Sequence, residues 1–247
     1  MSSATPVASL LDVEVDYAGR GRALGPIDLH LAAGEIVALV GPSGCGKSTA
    51  LRLLAGLEPP TRGRVRRAAG RGETAVVFQS PTLAPWLSAA ANVALPLELS
   101  GTPRGEARAR ALGALRRVGL GAAANARPAQ LSGGMAMRAS LARALVTGPR
   151  VLLLDEPFAA LDEITRFRLD TQLRELWQTR RITVVFVTHS ISEAAFLANR
   201  AVVLTKRHGA IKLDRRLNLP IERTDDLRMD PRLAGEMKVL LSAMEEE

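Results

Sequence analysis

From position 41 the chain reads Gly41, Pro42, Ser43, Gly44, Cys45, Gly46, Lys47 and Ser48, with Thr49 next. This is the spacing G-x4-G-K-[ST], whose chemistry is the cradling of phosphate. Its glycines let backbone N–H groups converge on phosphate oxygens, and a helix starting at Lys47 adds the positive end of its dipole. In such a loop Lys47 reaches the β- and γ-phosphates, and the Ser48 hydroxyl ligates Mg²⁺. Taken alone, the stretch could also be a glycine-rich turn before a helix. A second group, Asp155 and Glu156, follows the apolar run 151–154. Carboxylates at the C-terminal end of a buried strand stand where α/β sheets bind ligands. Asp155 is placed to hold Mg²⁺ through water, and Glu156 to polarise an attacking water as a general base. An acidic pair alone could simply cap a helix; beside a phosphate loop it points to ATP hydrolysis.

Strands and helices must alternate to bring these groups together. Loose alternation over 11–17, then 24–31 and the buried-looking run 35–40, predict strands. A helix is expected over 47–57, stopped by Glu58, Pro59 and Pro60. Strands follow at 63–67 and 74–78. From Ser80 to Thr147 the character turns helical: 104–118 is rich in Ala, Leu and Arg, with Pro103 before it and Gly119 after it. A helix after Ser132 carries Leu141 and Leu145 at i,i+4 spacing. Alternation returns with strands at 151–154 and 182–187 and helices at 163–180 and 190–198. In the first of those helices Leu169, Leu173, Leu176 and Trp177 share a face. The pattern predicts a mostly parallel sheet covered by helices. At the tail, Asp230 can N-cap a helix that has Pro231 at its first position and runs toward Met244.

With 247 residues, 47% of them apolar and 23% charged, the chain can bury a large core without covalent staples. Its one cysteine excludes an internal disulfide framework and fits a reducing compartment. The stretch 1–16 lacks a basic region and is interrupted by Asp12, Glu14 and Asp16, unlike a secretory signal. Apolar runs reach only about five residues, far below the ~20 needed to span a bilayer, so membrane contact is expected only through partners. The net charge of +8 rests partly on two arginine clusters. One holds Arg62, Arg64, Arg66, Arg67 and Arg71; the other holds Arg104, Arg108, Arg110, Arg116 and Arg117. Solvated faces explain both. An attraction to anionic lipid is the next reading. Direct nucleic-acid binding is not expected, because no stacking aromatics interleave with the arginines.

Between the phosphate loop and the acidic pair stand Leu131, Ser132, Gly133, Gly134 and Met135. This stretch resembles the signature motif of ABC ATPases, the nucleotide-binding subunits of ABC transporters. The order of the remaining motifs is similar to that family: Gln79 after an apolar strand, Ala160-Leu161-Asp162 after the acidic pair, and His189 after the run 183–187. Tyr17 stands 30 residues before Lys47, where the family keeps an aromatic to stack on adenine. The resemblance implies an α/β fold: a RecA-like phosphate-loop ATPase core, an N-terminal antiparallel β subdomain and an inserted helical subdomain. As one domain over 1–247, the core and β subdomain would take about 1–79 and 148–213, the helical subdomain about 80–147, and the tail about 214–247. It further implies a head-to-tail pair, a homodimer or one with a second ABC ATPase. Each ATP would lie between one copy's Lys47 loop and the other's Ser132, Gly133 and Gly134. Glu156, His189, Gln79 and Lys47 would act in hydrolysis; Ser48, Gln79 and Asp155 would hold Mg²⁺; and Asp162 would report across the interface.

Plainer roles exist for several of these residues: Tyr17 packing at a strand end, His189 capping a helix, Gln79 as an ordinary loop polar. Ser132 could N-cap a helix in either case. The segments around Gln79-Ser-Pro-Thr-Leu-Ala-Pro-Trp86 and from Asn92 to Leu99 resemble the nitrate/sulfonate/taurine importer group, which also includes carriers of pyrimidine precursors. That resemblance implies multi-span permease partners, an extracytoplasmic substrate-binding protein and a peripheral place on the cytoplasmic membrane face. An exporter ATPase, or a soluble ABC ATPase acting on nucleic acid or ribosomes, is the alternative. Two departures stand out: Ala136 and Met137 where the group commonly has Arg and Gln, and Ala159 where many relatives carry Ser or Gly. Two further expectations are a reactive Cys45 thiolate beside Lys47 and an exposed Trp86 offered to a permease helix.

Overall fold

A computed structural model describes residues 6–19, 21–70, 72–159, 161–206 and 209–245; Arg71 and Ala160 lie outside them. In chain order the elements are β1 (Ala8–Tyr17), β2 (Gly21–Leu31), β3 (Ile36–Val40), α1 (Lys47–Ala55), β4 (Arg62–Arg67) and β5 (Thr74–Val77). Then come α2 (Ala89–Leu99), α3 (Arg104–Arg117), α4 (Gly133–Leu145), β6 (Val151–Asp155), α5 (Glu163–Arg180) and β7 (Thr183–Thr188). Last are α6 (Ile191–Leu197), β8 (Arg200–Leu204), β9 (Ile211–Arg216) and α7 (Pro231–Glu245).

Strands β5, β6, β7, β3, β8 and β9 form one sheet in that order, parallel except for β9 against β8. Every residue of β3, β6 and β7 is buried, which is why these segments read as unbroken apolar runs. Their side chains still alternate. Ile36, Ala38, Val40, Leu152 and Leu154 join a core with Leu169, Leu173 and Trp177 of α5 and with α6 and α7. Val37, Leu39, Leu153, Val185 and Val187 join the opposite core, with Leu51 and Leu54 of α1 and the inner residues of β1 and β2. A second sheet, ordered β2-β1-β4 and antiparallel, closes that face. Helices α2, α3 and α4 surround a third core rich in alanine. Val93, Leu97, Leu115, Val118, Leu120 and Val146 are its larger members.

Helix α1 ends two residues before the expected position because Gly56, at φ 74°, takes the left-handed turn that stops a helix. The Arg67 guanidinium covers the freed carbonyls, donating from Nη2 to Leu53 O at 2.8 Å. Strands β8 and β9 were not separately anticipated; β9 carries Lys212, Asp214, Arg215 and Arg216, too polar to stand out from a loop. The described arginines of both clusters face solvent. Arg62, Arg64 and Arg66 lie exposed on β4, an edge strand that charge protects from pairing with other chains. The five arginines of α3 are likewise exposed.

Asn92 ties the segment after Gln79 to the helical lobe. Fully buried, it accepts from the Ala84 N–H at 2.7 Å and donates to the carbonyls of Ala84, Leu87 and Ser88 at 3.1, 3.2 and 3.1 Å. Replacing it with Ala leaves the Ala84 N–H and the Leu87 carbonyl without this partner, whereas Ala84 O and Ser88 O still accept from the Leu87 N–H and the N–H of residue 92. Asn92→Ala is expected to destabilise the fold by roughly 2–4 kcal/mol in chemical denaturation, and a change below about 1 kcal/mol would show that water replaces the amide.

Candidate active site

The phosphate loop joins β3 to α1, and its glycines are required by geometry at two points. Gly41 sits at φ 154°, where an added Cβ would lie 2.7 Å from Leu204 O. Gly46, at φ 97°, would place a Cβ 2.4 Å from Ala23 O. Lys47 is folded back into the loop, its Nζ donating to Gly41 O and Pro42 O at 2.8 Å each. A buried ammonium thus rests on two carbonyls of the loop.

Cys45 departs from expectation. Its side chain is only 1% exposed, and burial pushes the thiol up despite the opposing pull of Lys47. The loop turns it inward among Leu24, Leu51 and Val202, members of the same core. It is a packing residue, not a reactive thiolate.

Parallel strands deliver the other groups to the same end of the sheet. Asp155 closes β6, and the Ser48 hydroxyl donates to its Oδ1 at 2.8 Å. Burial raises the Asp155 carboxyl, with neighbouring Glu156 adding to the rise and the Ser48 hydrogen bond opposing it. Glu156 adopts a left-handed φ of 46°, uncommon for a residue with a side chain, while its N–H donates to Val187 O at 3.0 Å. That kink lifts its carboxylate out of the strand. Gln79 Nε2 donates to Glu156 Oε2 at 3.2 Å, and His189 Nδ1 lies 3.5 Å from the same oxygen.

These groups line one open cavity of about 1140 Å³ with Tyr17, Ser43, Gly44, Gly46, Lys47, Ser48 and Thr49. Tyr17 stands at its mouth, 36% exposed, its hydroxyl donating to Glu58 Oε1 at 2.9 Å. Gly41, Pro42 and Cys45 complete the loop behind the lining, and Asp155 joins it through Ser48. Arg22, Arg52 and Glu58 also line the cavity and were not singled out from the sequence. Arg52 was legible: it stands four residues after Ser48 and so on the same helix face.

Ser132, Gly133, Gly134 and Asp162 are not in this cavity. Ser132 caps α4, its Oγ accepting from the Met135 N–H at 3.2 Å, and Asp162 caps α5, its Oδ1 accepting from the Thr165 N–H at 2.9 Å. The two caps are neighbours: a Cβ on Gly134 would lie 2.9 Å from Leu161 Cδ2. Met137 is buried in the sheet-facing core, and Arg138 Nη1 donates to Val118 O at 3.0 Å at the end of α3. Ala159 is exposed.

Among the described residues no cluster of three or more His, Cys, Asp or Glu could hold a metal by itself. The Ser48 hydroxyl beside the Asp155 carboxylate is nonetheless a pair of hard oxygens. Such a pair suits a cation that takes its other ligands from phosphate and water.

A sequence profile described as ABC transporter matches residues 24–159. The chain belongs to the ABC transporter family. It is an ABC ATPase, an ATP-hydrolysing transporter subunit. It is 48% identical over 216 residues to the aliphatic sulfonates import ATP-binding protein SsuB of Granulibacter bethesdensis, covering 87% of this chain and 86% of that one. With SsuB 2 of Pseudomonas savastanoi pv. phaseolicola the identity is 47% over 222 residues, 90% of this chain and 79% of the relative. Among solved structures, the dimeric post-hydrolysis state of the ATP-binding cassette MJ0796 bound to ADP and Pi superposes with a TM-score of 0.78. That match has 34% identity and covers 86% of this chain and all of the other. The cassette architecture expected from the motifs is therefore the one observed.

The buried thiol gives this ABC ATPase a direct check on the loop. Maleimide at neutral pH is expected to modify Cys45 on the order of a hundredfold more slowly in the folded protein than in denaturant; comparable rates would mean that the loop opens readily without nucleotide.

Proposed function

We propose that this ABC ATPase drives an importer of small solutes of the sulfonate, nitrate, taurine or pyrimidine-precursor type, working as a pair of copies that closes on two ATP molecules. One observation carries the reading. The hydrolytic groups Gln79, Glu156 and His189 converge on one cavity with the Lys47 loop, whereas the N-terminus of α4 at Ser132 lies outside it. Every group needed to hold and attack a triphosphate is present except a lid over its far side. A second copy presenting Ser132, Gly133 and Gly134 supplies that lid, with helix dipole and N–H groups turned to the γ-phosphate. Asp162, capping the neighbouring helix, would face the same junction.

Tyr17 stacks its ring on adenine. The Lys47 ammonium exchanges its two loop carbonyls for β- and γ-phosphate oxygens. Ser48, Asp155 and Gln79 would hold Mg²⁺, which supplies charge neutralisation at the phosphates. Glu156 accepts the proton of the attacking water, held in place from either side by Gln79 and His189. Loss of phosphate removes what joins the two copies, and the pair opens.

The importer direction and cargo class rest on the sulfonate-import names of the relatives. Aliphatic sulfonates come first, with nitrate, taurine and pyrimidine precursors as the wider range. No helix among the described residues is long and apolar enough to cross a membrane. In this reading the transporter role of the relatives makes the chain a peripheral subunit on the cytoplasmic face, beneath multi-span permease partners fed by an extracytoplasmic binding protein. Trp86, 74% exposed on the segment that follows Gln79, is the apolar anchor offered to the permease.

Glu156→Gln removes the proton acceptor and keeps the hydrogen-bonding shape. Hydrolysis is expected to fall ~10²–10⁴-fold while ATP binding persists, and the variant should elute as an ATP-dependent dimer on sizing chromatography. Adding Ser132→Arg should return it to monomer with ATP affinity preserved. Wild-type turnover in Glu156→Gln would place the base elsewhere, and a dimer that survives Ser132→Arg would end the paired reading.

A further inference from the structure

Beneath His189 the end of β7 is tied into a buried polar knot. Thr188 is 2% exposed and Glu193, in the first turn of α6, is 5% exposed. The Thr188 hydroxyl donates to Glu193 Oε2, and Thr188 Oγ1 itself accepts from the Ser190 N–H at 3.0 Å. Ser190 Oγ in turn accepts from the Glu193 N–H at 3.3 Å. His189 is thus the one residue between two that are fixed on both sides. A small cavity of about 10 Å³ is bounded by Glu156, Arg166, Thr188, His189, Ser190 and Glu193, so the knot adjoins the hydrolytic pair.

Helix capping alone does not account for this arrangement. In an ordinary capping box the third-position carboxylate takes the cap residue's own N–H. Here Thr188 holds the Ser190 N–H and Glu193 reaches past it to Thr188, so the strand end is bound together with the helix start. Burying a carboxyl among other acids is also costly. Asp170 and Arg166 approach from α5 and Glu156 from the end of β6. Burial, helped by Asp170 and Glu156, raises the Glu193 carboxyl to about 8 against the pull of Thr188 and Arg166, so it is mostly uncharged at neutral pH. A neutral acid in this position serves geometry and supplies no charge to the site.

We propose that Glu193 is a positioning residue for ATP hydrolysis, holding Thr188 and Ser190 so that the His189 imidazole stays against the Glu156 carboxylate. The inference rests on the reading of Glu156 and His189 as a hydrolytic pair. Glu193 touches neither the phosphate loop nor the nucleotide cavity, so its effect falls on turnover and spares binding.

Steady-state ATPase assays on Glu193→Ala, Glu193→Gln, His189→Ala and the double variant His189→Ala/Glu193→Ala test it. Glu193→Ala should lower kcat by roughly tenfold to a hundredfold, with KM for ATP moving by less than about threefold. Glu193→Gln, which still accepts from Thr188 and cannot ionise, should restore most of the rate. The double variant should be no slower than His189→Ala, because Glu193 acts only through that side chain. A slow His189→Ala beside an unimpaired Glu193→Ala overturns the inference alone, as does a double variant slower by the product of the two losses. A His189→Ala protein at the wild-type rate overturns the hydrolytic pair and the inference with it. Should Glu193→Ala not fold, Thr188→Val removes the hydroxyl at constant shape: loss of kcat at preserved KM supports the proposal, and a wild-type kcat overturns it.

Discussion

Parallel pairing of β3, β6 and β7 is the constraint on which the rest of the molecule depends. Val40 lies beside Thr188, and Asp155 beside Val187. Because all three strands run the same way, the phosphate loop, the acidic pair and His189 leave the sheet at one edge. β5 adds the fourth segment in register, with Val77 beside Leu154, two residues before Gln79. A site assembled from positions 41 to 189 is thereby held by backbone hydrogen bonds between fully buried strands. An antiparallel partner inserted among them would send one of these groups to the opposite edge. Among the described residues the only antiparallel pairing in this sheet is at its rim, between β8 and β9.

The same construction explains what was legible beforehand. The phosphate loop could be read because its demands are local: glycine where a Cβ would strike Leu204 O or Ala23 O, then Lys47 and Ser48 on the first helical turn. The strands could be read because burial on two faces leaves continuous apolar runs. The charge of Lys47 suggested a thiolate at Cys45, whereas the fold buries its side chain in the core beneath the antiparallel sheet. Glu193 was invisible for a related reason. A Ser-x-x-Glu start to a helix looks like an ordinary cap, and only the fold shows Thr188 between the two. The polar edge strand β9 had no hydrophobic pattern to find.

Charge shows the same limit. The arginines on β4 and α3 are solvated, as clusters of like charge usually are. Arg174 and Arg223 are buried instead, and they donate to Leu197 O at 2.8 Å and Ala195 O at 2.9 Å, closing the carbonyl end of α6. Arg228 stacks between Phe167 and Phe196 at 3.9 and 3.7 Å and pairs with Asp170 at 3.2 Å. These contacts fasten the segment that follows β9 onto α5 and α6, the helices that flank the His189 end of β7.

In the proposed pair, one copy's γ-phosphate meets the other copy's Ser132, Gly133 and Gly134. A photoreactive ATP analogue with its reactive group on the γ-phosphate reads this directly. An affinity-tagged Lys47→Ala copy, unable to hold nucleotide, is mixed with an untagged Glu156→Gln copy and illuminated, and the tagged chain is digested for mass spectrometry. The account predicts label on the tagged chain, in the peptide containing residues 131–135. Label confined to the untagged, nucleotide-holding copy would contradict it.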